Sequence, residues 1–118
     1  KYVRAVGLAR NAAVNATYTR VSLKHIGVNV DSKDNASPRP NVAQVKQILT
    51  TGAHSVKKAI DDGDLHLIIL FHDINGQTAD NLETYIATIA EVTGKNGRFP
   101  KFLTTRAEAL AILNSTTE

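Results

Sequence analysis

The chain of 118 residues contains no cysteine, no tryptophan and no methionine, and only 5% of it is aromatic. Without cysteine there can be no disulfide, no zinc–thiolate site and no thiol nucleophile, while the compartment stays open. Nothing in the sequence is apolar for long enough to span a bilayer, and no signal-peptide pattern is present. The net charge of +3 comes from lysines and arginines scattered along the chain. With no basic run and few aromatic rings, the chain lacks both the electrostatic stripe and the stacking platforms that nucleic acid needs, so neither nucleic acid nor membrane is an expected partner. The length allows one α/β domain or half-domain over 1–118, burying roughly two-thirds of its unfolded surface.

The most informative stretch is Leu65 to Gln77, LHLIILFHDINGQ, in which Leu67 to Phe71 are all large and apolar. Such a run is too short for a membrane span and lacks polar alternation, so it predicts a strand buried on both faces of a parallel sheet. It ends in His72 and Asp73, then the turn formers Asn75 and Gly76, then a helix from Thr78. Ligands in α/β folds sit at the carboxyl ends of the strands, which singles out His72.

Around this strand the sequence predicts an extended piece over Lys1 to Gly7 and a helix from Asn11 to Lys24 with Val14, Tyr18 and Val21 on its apolar face. A strand follows over Ile26 to Val30, and then a loop carries Asp31 and Asp34 to Ser37-Pro38-Arg39-Pro40, where two prolines exclude regular structure. The next helix runs from Val42 to about Asp61, with an Asn41/Gln44 capping pair, a stripe of Val45, Ile48, Leu49, Val56 and Ile60, and Gly63 as its stop. Thr78 to Thr93 forms a helix with Leu82, Ile86 and Ile89 inward and Gly94 as a left-handed terminator. Phe99 to Leu103 makes a last strand, and Thr105 with Glu108 opens the final helix. Alternation of strand and helix means α/β with a parallel sheet. Three glycosylation sequons, at Asn15, Asn35 and Asn114, point to a secreted or cell-surface glycoprotein.

The segment Val28-Asn-Val-Asp-Ser-Lys-Asp34, lying about forty residues before Leu67-Ile-Ile-Leu-Phe-His72-Asp73, resembles the second half of the polysaccharide deacetylase family, which includes chitin deacetylases. Asp31 to Asp34 is similar to that family's Asp-Ser-x-Asp motif, and Ile68, Leu70 and His72 to its apolar-x-Leu-x-His motif. Val3-Arg4-Ala5-Val6-Gly7 sits where the family has an Arg-Pro-Pro-Tyr-Gly type turn, and Lys101-Phe-Leu-Thr closes the likeness. The resemblance implies the second half of a distorted barrel of parallel strands and helices, and a hydrolase that removes acetyl groups from N-acetylated sugars with a divalent metal, zinc first among them.

Attack of water on an acetamide leaves a poor amine, so the nitrogen must be protonated as it departs. The resemblance makes His72 that acid, Asp34 the carboxylate holding its imidazole, and Arg4 part of the same network. Leu70 would line the pocket for the acetyl methyl, with Asp31 and Asp73 on the substrate side. Asn35 stands where the family has Trp, and Ala5 and Val6 replace the prolines. The family's metal-binding Thr-Phe-Asp-Asp and His-x-x-x-His motifs do not occur, and His25, His54, His66 and His72 lack metal-ligand spacing. The expectation is therefore a carboxyl-terminal half that binds no metal and is not catalytic alone. Its partners would be an amino-terminal half or a second copy, and an acetylated polysaccharide. The alternative is a catalytically inactive relative that binds glycans or serves a structural role.

Overall fold

The computed structural model describes residues 1–4, 10–95 and 105–115. In chain order the elements are β1 (Tyr2–Val3), α1 (Ala12–Arg20), β2 (Lys24–His25), β3 (Val30–Asp31), α2 (Val42–Thr51), α3 (Val56–Asp61), β4 (Ile69–Leu70), α4 (Gly76–Lys95) and α5 (Arg106–Ser115). The protein is thus mixed α/β with short parallel strands in two small sheets, β1 with β2 and β3 with β4. The expected strand Phe99 to Leu103 and the turn at Ala5 to Gly7 lie outside the described residues.

The chain forms two compact units, one of Lys1–Gly27 with Leu103–Glu118 and one of Val28–Phe102. The first is a small β–α–β arrangement. Asn11 caps α1 by accepting from the Val14 amide, but no residue of α1 is buried. Val21, expected on its apolar face, is 54% exposed. The helix stops before it, because Ser22 takes the left-handed conformation (φ 60°) and the Leu23 amide turns back to the Tyr18 carbonyl at 2.8 Å. The Tyr18 ring stacks on the buried His25 at 6.1 Å, and Lys24 Nζ donates to the Leu113 carbonyl at 2.7 Å.

The second unit carries the main core: Val30, Val45, Leu49, Val56, Ala59, Ile60, Tyr85, Ile89 and Val92, with Val42, Leu67, Ile69 and Phe71 packed against it. Leu67, Ile69 and Phe71 alternate, as one face of a strand must. Residues 67–71 are half-buried, so this stretch is not the strand buried on both faces that its composition predicts; among the described residues β4 pairs with β3. Similarly, the predicted strand over Ile26 to Val30 is divided: β2 ends before it, β3 begins at its last residue, and the boundary between the units falls at Gly27. Asn29 sets the β3/β4 register, its Nδ2 donating to the His66 carbonyl at 2.6 Å and its Oδ1 accepting from the Ile68 amide at 2.7 Å.

The long helix expected from Val42 to Asp61 is broken in two. Its start is as predicted, with a capping box in which Asn41 and Gln44 satisfy each other's amides. Gly52 is extended, and a side chain there would meet the Ile48 carbonyl oxygen at 2.8 Å. Three residues later Ser55 caps α3, accepting from the Lys58 amide. Gly63 ends α3 in the left-handed region (φ 81°), where glycine alone carries no steric penalty.

In α4 the inward face is Thr78, Tyr85, Thr88, Ile89, Val92 and Thr93, while Leu82 and Ile86 are exposed. An apolar count misplaces this face because Thr88 donates to the Thr84 carbonyl and Thr93 to the Ala90 carbonyl, so their hydroxyls are satisfied within the helix and their methyls can be buried. Gly94 lies inside α4 and terminates nothing.

Candidate functional site

The site lies where β3 and β4 end side by side. Val30 pairs with Ile69 and Asp31 with Leu70, so both strands release their chains at the same edge. Ser32 stitches the two exits together: its Oγ donates to the Leu70 carbonyl at 2.7 Å and accepts from the Asp34 amide at 3.3 Å. Lys33 then adopts a left-handed conformation (φ 56°), and Asp34 turns inward until none of it is exposed.

A fully buried carboxylate must find donors. Asp34 Oδ1 lies 2.7 Å from His72 Nδ1. Oδ2 accepts from the His72 amide at 2.9 Å and from Thr78 Oγ1 at 2.6 Å. Its backbone carbonyl accepts from Asn75 Nδ2 at 2.6 Å. Burial raises the Asp34 pKa, but the hydrogen bonds from Thr78 and His72 and the attraction of the imidazole outweigh it, leaving the pKa below the ordinary carboxyl value. Asp34 is therefore ionised at neutral pH and only accepts. It follows that the proton on a neutral His72 sits on Nδ1, leaving Nε2 as the nitrogen able to exchange a proton with a bound molecule; the His72 side chain is 39% exposed.

Asn75, itself fully buried, holds both sides of the turn. While Nδ2 grips Asp34, Oδ1 accepts from the Gln77 and Thr78 amides, which makes Asn75 the N-cap of α4. The helix starts at Gly76, two residues before the sequence-based start at Thr78, and this places Thr78 in its first turn against Asp34. There the positive end of α4 also favours the anion. Beneath, the Tyr85 ring stacks on Phe71 at 5.7 Å. Its hydroxyl pKa is raised by burial, lowered in part by Gln77 and raised again by the charge of Asp34.

Of the residues singled out in the sequence, Asp34 and His72 come together. Leu70, half-buried, ends β4 two residues before His72. Asp73 is exposed in the turn closed by the Asn75 amide and the His72 carbonyl. Asp31 faces elsewhere: Oδ1 accepts from the Lys33 amide at 2.9 Å and Oδ2 pairs with Lys33 Nζ at 3.1 Å. Arg4 belongs to the first unit, where its Nε donates to the Ile26 carbonyl at 3.1 Å. Ser32, Asn75 and Thr78 carry no role in the sequence reading. Asn75 had a legible signal, an N-cap residue ahead of a helical pattern, and Ser32 stands inside the Asp-Ser-x-Asp motif; Thr78 had none, since it acts through a residue distant in sequence.

Among the described residues no three His, Asp or Glu side chains gather in a way that could hold a metal ion. No described helix is long and apolar enough to cross a membrane. The chain matches no family model, no curated protein and no solved structure.

Proposed function

We propose that this chain is the proton-donating part of a polysaccharide or chitin deacetylase-like hydrolase, the second half of a distorted barrel, completed by an amino-terminal half that brings the metal ligands and the attacking water. The observation that supports this reading is the Asp34–His72 pair: a buried, ionised carboxylate 2.7 Å from Nδ1 of a partly exposed imidazole at the carboxyl end of a strand. The pair fixes the tautomer, and Nε2 of the protonated ring delivers a proton to the departing sugar nitrogen. Leu70 borders the acetyl methyl, and the exposed Asp73 meets the sugar. Secretion and glycosylation accord with Asn15, Asn35 and Asn114, all of which are exposed.

One observation favours a second reading, a catalytically inactive relative that binds glycans or plays a structural part. Asn35, beside Asp34, offers no aromatic platform, and its Oδ1 is taken by Arg39 Nη2 at 2.8 Å. Acetate release from N-acetylglucosamine oligomers decides between them. Native mass spectrometry of the natural protein should first reveal a co-purifying chain with bound metal. That assembly should release acetate, and His72→Ala should abolish turnover while the circular dichroism spectrum stays folded. A metal-free 118-residue chain without a partner, or an assembly that binds oligomers without releasing acetate, overturns the hydrolase.

A further inference from the structure

We propose that Thr78 is the positioning residue of the Asp34–His72 pair: by occupying Oδ2 it pins the carboxylate plane and commits Oδ1 to the imidazole Nδ1–H. The inference deepens the proposed function and rests on its choice of His72 as proton donor, but the geometry behind it belongs to this chain alone.

Rotation about the Cβ–Cγ bond of aspartate has broad minima, so a carboxylate held at one point can turn away from a histidine. Asp34 is held at three. His72 contributes two of them, its amide on Oδ2 and its ring on Oδ1, but both move with the turn that carries His72. The third, Thr78 Oγ1 at 2.6 Å, comes from the first turn of α4, a 20-residue helix whose start is fixed by the buried Asn75 cap. Thr78 is only 3% exposed, so water cannot readily replace its hydroxyl. Of the three donors to the carboxylate, Thr78 is thus the one anchored independently of the histidine. Tyr85, on the same helix, also senses the Asp34 charge, but its ring stacks on Phe71, whereas Thr78 bonds the carboxylate.

The test uses no substrate, so a failed deacetylation assay leaves it standing, and its own failure leaves His72 open as an acid positioned by Asp34 alone. In the full chain, nitrogen-15 NMR of His72, assigned by loss of its signals in His72→Gln, should show the neutral ring protonated on Nδ1. Thr78→Val should shift the population towards the Nε2–H form, raise the Asp34 carboxyl titration and speed exchange of the Nδ1–H on the order of tenfold, as expected for loss of one hydrogen bond to a charged group. Thr78→Ser, which keeps the hydroxyl, should reproduce the wild type. If Thr78→Val does not fold, Thr78→Ala carries the same expectations. An Nε2–H ring in the wild type, unchanged tautomer and exchange in the hydroxyl-free variant, or a Thr78→Ser that behaves like Thr78→Val each overturns the proposal. The last outcome would assign the effect to packing of the threonine methyl.

Discussion

Asp31 and Asp34 stand three residues apart on one strand exit, yet they live in different physical worlds. Asp31 pairs with the half-exposed Lys33, in reach of solvent that screens the attraction. Asp34 is wholly buried, accepts three hydrogen bonds on its carboxylate, and faces a histidine delivered by another strand. The divide between them is the left-handed turn at Lys33, which sends one side chain outward and the other into the core. A short acidic motif does not make its carboxylates equivalent. What separates them is the number of donors supplied from distant parts of the chain.

The sharpest way to break the contrast is to remove both carboxylates in turn. Asp34→Ala strands the donors of a buried network and should lower the unfolding free energy by about 3–5 kcal/mol, whereas Asp31→Ala should cost at most about 1 kcal/mol; urea titration measures both. Nearly as large is Asn75→Ala, which removes the α4 cap and leaves the Asp34 carbonyl unpaired, with an expected loss of about 2–4 kcal/mol in the same titration. A loss below that of Asp31→Ala would show that Asn75 supports neither.

The folded-state pKa of Asp34 is depressed, so its contribution is fully present above the unfolded carboxyl value of about 3.9 and is lost as pH falls through the lower folded value. Urea midpoints taken from neutral to acid pH should therefore fall in wild type, and less so in Asp34→Asn. The smallest effect is expected at Lys33→Gly. It gives up an exposed ion pair but relieves a left-handed backbone, and the net change should stay within about 1 kcal/mol. A larger loss would mean that Lys33 does more than turn the chain.

Legibility differed along the chain for reasons that particular residues explain. The Asn41/Gln44 box and the Gly63 stop are local devices, complete within a few residues, and both stand where the pattern placed them. The break at Gly52 to Ser55 was also local, but a continuous apolar stripe from Val45 to Ile60 concealed it: both short helices face the same core. Leu82 and Ile86 misled because threonine was counted as polar, although its hydroxyl can be satisfied by its own helix. At the site, the strand-end logic and the family resemblance both picked out His72 and Asp34. Neither could pick out Thr78, whose hydroxyl matters only because a carboxylate from 44 residues away reaches it.

By itself, then, the sequence determined what local chemistry can determine: an α/β alternation, caps and turns, the exclusion of thiol and disulfide chemistry, and a histidine at the end of an apolar strand. Tertiary structure alone decided which of two neighbouring aspartates is buried, which nitrogen of His72 carries the proton and which face of α4 turns inward. The physical reason is range. Capping and turn preferences act over a few residues, whereas burial of a charge is tolerated only when donors from several separate segments converge on it.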